Sequence, residues 1–563
     1  MSKLTKYQGL AVSSLLLACS SMAVAAPQTG TPADAGLINE QQVLYWLIKR
    51  GEVSVDASEA EKQAAVDAFV SRGRNTTFKP AAIEVKAEQL RIKRSAQKNT
   101  KNVQYTAANN KVLADQDITK TVKVLAVLVD FPDLPHDANQ LNVGDTDMYY
   151  SSYPTSHYQQ LLFSETGFTG PSNQTLQSAH QYFQAVSGNS FYFTGQVQDW
   201  VTADNNAAYY GGNDSDDNDK AVPELVKEAV TKAVSGMSDT ELESYDIEDP
   251  FDIDGDGNYD EADGIIDHVM LFHSSIGEEA GGGVLGEDAI WSHRFYVDSN
   301  TNGYIIPGRS LKVFGYTVQP IDAAAGVCTH EFGHDLGLPD EYDTTNSGDG
   351  SPVGAWSLMS GGSWTGSIAG AQPSGFSPYA KSFLQQKYKG KWVNEQHISL
   401  ADLTSSGTAV QLNHAVNTDA VNQLSIALPA EAVAFKAPLT GQYQYYSGQG
   451  NMINNAMSFD VTLPLDTPLA LSFQAHWDIE DDYDYVQVLV DSVAIEGNYT
   501  NSTNSIYPTV KHSISGKSSD ISTAYGSDSW VDFNFDLSAY AGRDVQISVV
   551  YKTDEAVGGY GMA

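Results

Sequence analysis

The chain has 563 residues, 41% of them hydrophobic and 10% aromatic, and a formal charge of -38. Its length exceeds a single core and predicts two to four domains, its composition excludes a disordered chain, and its acidity excludes phosphate backbones and anionic membranes as partners. The charge is uneven: residues 1–111 hold 15 Lys/Arg against 9 Asp/Glu, and the remainder holds 17 against 61. A basic front segment should therefore be drawn to an acidic body.

Residues 1–26 have the layout of a secretory signal: Lys3 and Lys6, the apolar stretch "LAVSSLLLA", and a cleavage site after "AVA". The apolar stretch is shorter than a bilayer requires. Secretion is the expected destination, with an outer-surface lipoprotein anchored through Cys19 as the alternative. Once Cys19 leaves with the signal, Cys328 has no intrachain partner, so something other than a disulfide must brace the exported loops, and bound metal ions are the obvious candidate.

Residues 27–115 are expected to form a helical propeptide. "LINEQQVLYWLIKRG" and "SEAEKQAAVDAFVSRG" each show helical spacing closed by glycine, and a Lys-, Gln- and Asn-rich linker follows. From "VKVLAVLVDFPD" the texture mixes buried strands with amphipathic helices, which places an α+β domain at 116–395. Within it "SAHQYFQAVSG" and "KAVPELVKEAVTKAVSG" read as helices, "SFYFTGQVQDW" as a strand pair joined by a turn, and "IIDHVMLFHS" as a buried strand. Short alternating strands then predict a small β region at 396–435 and a β-sandwich module at 436–563.

The stretch "CTHEFGHDLGLPDEYD", residues 328–343, carries the strongest chemical signal. On a helix, His330 and His334 lie four apart and share a face, so both can bind one zinc ion. Glu331 faces the open coordination position and can take a proton from the attacking water. Zinc needs a third protein ligand; Gly337 can turn the chain back to supply Asp340, with Asp343 as competitor and Asp335 and Glu341 also near. Met359, in "WSLMSGG", suits a buried floor beneath the metal. Cys328 falls on the opposite helical face and reads as a small core residue. His268, His273 and His293 read as structural, and Tyr342 is the nearest candidate for steadying the tetrahedral intermediate.

His-Glu-x-x-His-x-x-Gly-x-x-Asp with a downstream Met turn is similar to the metzincin zinc endopeptidases. The stretches "HEFGHDLGLPDEYD", "YYGGNDSDDND", "DIDGDGNYDEADGIIDHVMLFHSSIGEEAGGG", "DAIWSHR", "WSLMSGG" and "AHWDIEDDYDYVQV" resemble the immune inhibitor A-like family of secreted bacterial metallopeptidases. That resemblance implies a metzincin-like peptidase domain with His330, His334 and Asp340 on zinc, Glu331 as general base and Met359 as the turn methionine. It also implies an N-terminal propeptide and structural calcium. Related terminal sandwiches continue past "KTDEAVGGYG" into a closing strand, so a shorter module or further sequence is expected here.

Calcium candidates come from carboxylate spacing. "DIDGDGNYDEAD" places Asp252, Asp254, Asp256, Asp260 and Asp263 as in a calcium loop, with Gly257 at its sharp turn. Asp214, Asp216 and Asp219 form a second oxygen-rich loop, and Asp478, Glu480 and Asp484 a third beside a sandwich strand. The expected function is a secreted, calcium-stabilised zinc endopeptidase, hydrolysing peptide bonds by Glu-assisted attack of a zinc-bound water and made as a latent precursor. Its partners would be protein or peptide substrates, its own propeptide as inhibitor, and a surface or glycan met by the C-terminal module, with no nucleic acid. The propeptide has no cysteine to cap zinc, so an acidic side chain or steric filling must provide latency. A non-catalytic calcium-dependent adhesin or glycan-binding protein, and an aminopeptidase, are the alternatives.

Overall fold

The computed structural model describes residues 31–71, 81, 83–84, 86–87 and 118–563, apart from 214–217, 255, 257, 299–302, 345–349, 414–419, 429–434, 451–452 and 555–557. The expected signal with Cys19, the linker 88–117, Asp214, Asp216 and Gly257 lie outside the described residues. The chain divides into two units, residues 1–428 and 429–563.

The front segment forms two helices. α1 (Glu40–Lys49) begins where Asn39 accepts the N–H of Gln42, and α2 (Glu59–Val70) where Ser58 and Glu61 cap each other reciprocally. Val43 and Leu47 pack on Val66 and Phe69. Trp46, on the other side of α1, is buried against Ile276 and Ala280 of the body. Lys49 pairs with Asp145, and Arg50 donates to the carbonyls of Gly281 at 2.6 Å and Gly283 at 2.7 Å. Further on, Ala81 and Ile83 enter the body's core, and Glu84 pairs with Arg294. Contacts of both charge signs and apolar anchors hold the segment, where the composition predicts only a basic front on an acidic body.

The body is built on a mixed sheet of β1 (Lys120–Asp130), β2 (Phe191–Val197), β3 (His268–His273), β4 (His293–Tyr296) and β5 (Gly315–Pro320), ordered β2–β1–β3–β5–β4. All are parallel except β4, which runs antiparallel to β5. β1 is apolar without a break from Val124 to Val129, where both its faces are covered. Val122, Val124, Ala126 and Leu128 share one core with α3 (Thr155–Phe163) and α4 (Ala179–Val186). Leu125, Val127 and Val129 share the other with α5 (Val222–Ala233). α6 (Ala325–Asp335) follows β5 and joins the first core through Cys328 and Phe332.

The stretch "SFYFTGQVQDW" differs from the expected strand pair. β2 and the short strand Val201–Thr202 both pair in parallel with β1 and not with each other. β1 is longer than β2, so after the Gln198 N–H reaches the Ala126 carbonyl at 2.8 Å the chain kinks and resumes along the same neighbour.

Beyond α7 (Pro378–Tyr388), Glu395–Ser399 pairs in parallel with Gln423–Ala427. The second unit is mostly β. Its strands β6 (Asn454–Thr462), β7 (Ala470–Ala475), β8 (Tyr485–Val490), β9 (Val531–Asp536) and β10 (Asp544–Lys552) pair antiparallel as β6–β10–β8 and β7–β9. Val486, Val488, Phe533, Phe535 and Ile547 share its core.

A buried chain of charges pins the end of α6. His268, the first residue of β3, has Nδ1 2.6 Å from Asp335 Oδ2 and Nε2 2.9 Å from Glu248 Oε2. Arg294 lies 3.5 Å from Asp335, and Lys120 pairs with Glu248. Burial favours the neutral ring, but the two carboxylates outweigh it and raise the His268 pKa to about 10. An unfolded histidine titrates near 6.5. The stabilisation is therefore whole below about pH 6.5 and is lost as the pH rises through about 10. His268→Gln is expected to cost about 3–5 kcal/mol at pH 7, because two buried carboxylates lose their partner. It should also flatten the pH slope of stability, read from urea unfolding at a series of pH values.

Candidate metal centre

α6 presents His330 and His334 one turn apart. His330 Nδ1 lies 2.7 Å from the Leu358 carbonyl oxygen, and His334 Nδ1 2.8 Å from that of Leu338. A carbonyl oxygen only accepts, so each Nδ1 must carry the proton it donates and each Nε2 keeps its lone pair in the neutral ring. The same bonds fix the ring planes, 79° apart with centroids separated by 4.9 Å. Gly337 closes the helix at φ 98°, a left-handed angle that favours glycine. The Leu338 N–H then returns to the Gly333 carbonyl at 3.0 Å. The reversal brings Asp340 Oδ1 to 3.3 Å from His334 Nε2 and 3.6 Å from His330 Nε2.

Met359 is fully buried beneath the helix. A Cβ on Gly333 would sit 2.6 Å from its sulfur, so the methionine turn can lie this close only because Gly333 has no side chain. The turn supplies the Leu358 carbonyl to His330, and the Met359 carbonyl accepts the Glu341 N–H at 2.7 Å. It thus steadies one histidine and the stretch just after Asp340.

A fourth side chain enters from the front segment. Asp34 Oδ2 lies 2.5 Å from His330 Nε2 and 3.5 Å from His334 Nε2, and one ligand atom from each of the four residues falls within 4.8 Å of the others. Asp34 Oδ2, His330 Nε2 and Asp340 Oδ1 are buried without a hydrogen-bond partner. Buried lone pairs that converge without an aligned donor are what a cation satisfies. Zinc with tetrahedral bonds of about 2.0–2.2 Å has ligand–ligand edges of about 3.3–3.6 Å. The 3.3, 3.5 and 3.6 Å separations match those edges, and the 2.5 Å one is shorter. The residues fit a zinc ion. Burial works against charge on His330, but Asp34 and Asp340 override it and raise its pKa to about 10. Metal and protons therefore compete for the imidazoles.

Glu331 is buried, and neither carboxylate oxygen has a hydrogen-bond partner. Burial, joined by the charge of Asp34, pushes its pKa well above the usual range, while both histidines pull it down.

Asp335 is engaged with His268, and Glu341 accepts the Ser377 hydroxyl. The Asp343 N–H meets the Gly350 carbonyl at 2.8 Å, and Asp343 is not among the four converging residues. The Tyr342 hydroxyl donates to Asp34 Oδ1. Cys328 is buried, which pushes its thiol up. His273 Nδ1 contacts Ser275 Oγ at 2.8 Å, and His293 lies between the Trp291 carbonyl and the Tyr316 hydroxyl. Burial lowers their pKa values to about 3 and about 4.

Of the acidic loops, the structure brings Asp252, Asp254 and Asp256 together, and Asp249, Asp254 and Glu261 as an overlapping set. Asp260 turns away to pair with Lys120. The Asp263 N–H donates to Asp246, and burial raises the Asp263 carboxyl to about 7. Asp219 is buried where its Oδ2 accepts the Trp291 N–H at 3.0 Å. In the second unit Glu480 and Asp484 meet Asp554, whereas Asp478 lies 3.2 Å from Lys517.

Of the clustered residues, Asp34, Asp249, Glu261 and Asp554 are those that sequence reasoning did not single out. Asp34 had a usable signal: in "PADAGL" an acid stands among small residues that let a backbone enter a narrow cleft. Asp554 is 70 residues from Asp484, and no local spacing marks it.

Residues 110–393 match the family described as "Immune inhibitor A peptidase M6, catalytic domain", and residues 406–563 match "Immune inhibitor A-like, MAM domain". The chain is 42% identical over 539 residues to "Pre-pro-metalloprotease PrtV" of Vibrio cholerae serotype O1, covering 93% of this chain and 57% of that protein. It is 35% identical over 450 residues to "Immune inhibitor A" of Bacillus thuringiensis subsp. alesti, covering 77% and 63%. It thus spans less than two thirds of the length of either relative. With its body and its terminal unit each matched in turn, the chain belongs to the immune inhibitor A family of metallopeptidases.

Proposed function

We propose that the protein is a secreted zinc endopeptidase with a metzincin-like site, stabilised by calcium and made as a latent precursor. The observation that carries the reading is the convergence of His330 Nε2, His334 Nε2 and Asp340 Oδ1 beside the unpartnered carboxylate of Glu331. Zinc held there would lower the pKa of a bound water and polarise the scissile carbonyl. The protein's share is the rest. Leu358 and Leu338 orient the imidazoles, and Met359 floors the site. Glu331 accepts the proton of the attacking water and passes it to the leaving amine nitrogen. No acyl-enzyme forms. The chain would meet protein or peptide substrates, as the metalloprotease name of the Vibrio relative suggests. The terminal unit, of the MAM type by its match, would make contact with a surface or a glycan.

Calcium would occupy the loop holding Asp252, Asp254 and Asp256 and the sandwich cluster of Glu480, Asp484 and Asp554. Asp484 is fully buried, with Oδ2 unpartnered and its pKa raised to about 6, chiefly by burial. A hard, oxygen-seeking cation would relieve that cost.

Glu331→Gln is expected to keep the fold and one equivalent of zinc while lowering kcat by about 10²–10⁴-fold on casein. Retained turnover would remove Glu331 from its role. The processed enzyme should also cut a peptide blocked at its N-terminus, which an aminopeptidase cannot do. Calcium at about 100 times its Kd should add about 2.7 kcal/mol per site. A calcium-selective chelator should therefore lower Tm and increase self-cleavage, and an unchanged melting curve would count against bound calcium.

A further inference from the structure

Trp291 is held in the wall of the metal centre by bonds within the body. The Glu278 N–H donates to the Ile290 carbonyl at 3.0 Å, and the Glu279 carboxylate accepts the Ser292 N–H at 3.0 Å and the Ser292 hydroxyl at 2.6 Å. Between those two attachments the Trp291 N–H donates to Asp219 Oδ2 at 3.0 Å, and the Trp291 carbonyl lies 2.7 Å from His293 Nδ1. The main chain of Trp291 is thus pinned from both sides, and its indole is fully buried. The indole Nε1–H donates at 2.9 Å to the main-chain carbonyl of Asp34, the residue whose carboxylate faces both imidazoles. A single residue therefore spans from the indole to the metal position.

We propose that Trp291 is a substrate-binding residue of the processed enzyme, whose Nε1–H holds a substrate main-chain carbonyl within one residue of the bond to be cut. The proposal rests on the zinc-peptidase reading of the same site. The bonds that pin its main chain do not involve the front segment, so its position outlasts that segment's departure. A buried indole N–H needs an acceptor. Every peptide carries main-chain carbonyls whatever its side chains, so this donor sets the register of a chain laid beside the metal without selecting its sequence. The bond forms when the substrate docks and persists during attack, and so acts on KM more than on kcat. Glu279 is the positioning residue, because its two bonds to Ser292 hold the wall on which the indole stands.

The test uses the processed, zinc-loaded enzyme and a peptide blocked at both ends, whose cut bond is mapped by mass spectrometry. The carbonyls flanking that bond, but not the scissile one, are changed to thiocarbonyls one at a time, because sulfur is a poor hydrogen-bond acceptor. In the wild-type enzyme kcat/KM should fall by about tenfold at one position next to the cut bond and change little elsewhere. Trp291→Phe keeps a ring and removes the donor. It should lower kcat/KM on the parent peptide by about tenfold, mainly by raising KM, and the thiocarbonyl at the sensitive position should then cost nothing further. A residue that only shapes the wall would instead slow all the peptides alike. Unchanged kinetics in Trp291→Phe, or the same penalty at that position with and without the indole, would overturn the proposal. If Trp291→Phe does not fold, the wild-type scan decides: one costly position beside the cut bond supports the proposal, and a flat scan overturns it. Failure of the zinc-loaded enzyme to cut any blocked peptide would overturn the endopeptidase reading itself, whereas cleavage with a flat scan leaves that reading intact and removes only the role of Trp291.

Discussion

Two hydrogen bonds, from the Nδ1 atoms of His330 and His334 to main-chain carbonyls, decide what this site can be. They set the tautomer, aim both Nε2 lone pairs at one point, and prevent either ring from turning away. Both acceptors come after the helix. Leu338 lies just past the Gly337 reversal, and Leu358 just before the buried methionine. The helix therefore supplies the ligands, but the segments leaving it determine whether they can act. Bringing those segments close depends on two glycines, one for its backbone angle and one for the space its missing side chain leaves to Met359.

The remainder of the body serves to hold α6 still. Its apolar side shares a core with the sheet through Cys328 and Phe332, and its final residue is clamped through His268 into a buried run of alternating charges. An apolar seat fixes depth and a directional ion pair fixes rotation about the helix axis, which packing alone leaves soft. The pair costs desolvation. Its use is geometric, because His330, five residues before Asp335, can point its Nε2 to where that of His334 points only if the helix is turned correctly.

Much of this was legible in the sequence, and the remainder was not for identifiable reasons. Helix α6, its glycine exit and the return of Asp340 follow from local spacing and backbone chemistry. The run Val122–Val129 announces a strand covered on both faces. The path after β2 differs from the expected strand pair because alternation reports a strand and not its partner: a strand that resumes along one neighbour and a hairpin leave the same residue pattern. His268 looked isolated because its partners are Glu248 and Asp335, the latter 67 residues away. The acidic loops were visible as spacing, yet spacing did not show that Asp260 would turn to Lys120 or that Asp554 would join Glu480 and Asp484. Long-range convergence is a property of the fold, and short motifs do not encode it.

The front segment touches the body at separated points, at Asp34, along α1, and again at Ile83 and Glu84. Breaking one peptide bond in such a segment removes none of these contacts. It only converts an intramolecular clamp into a bound fragment, whose departure is governed by its off-rate and by dilution. Cutting the segment and releasing it are then distinct events with separate rates, and dilution changes only the second.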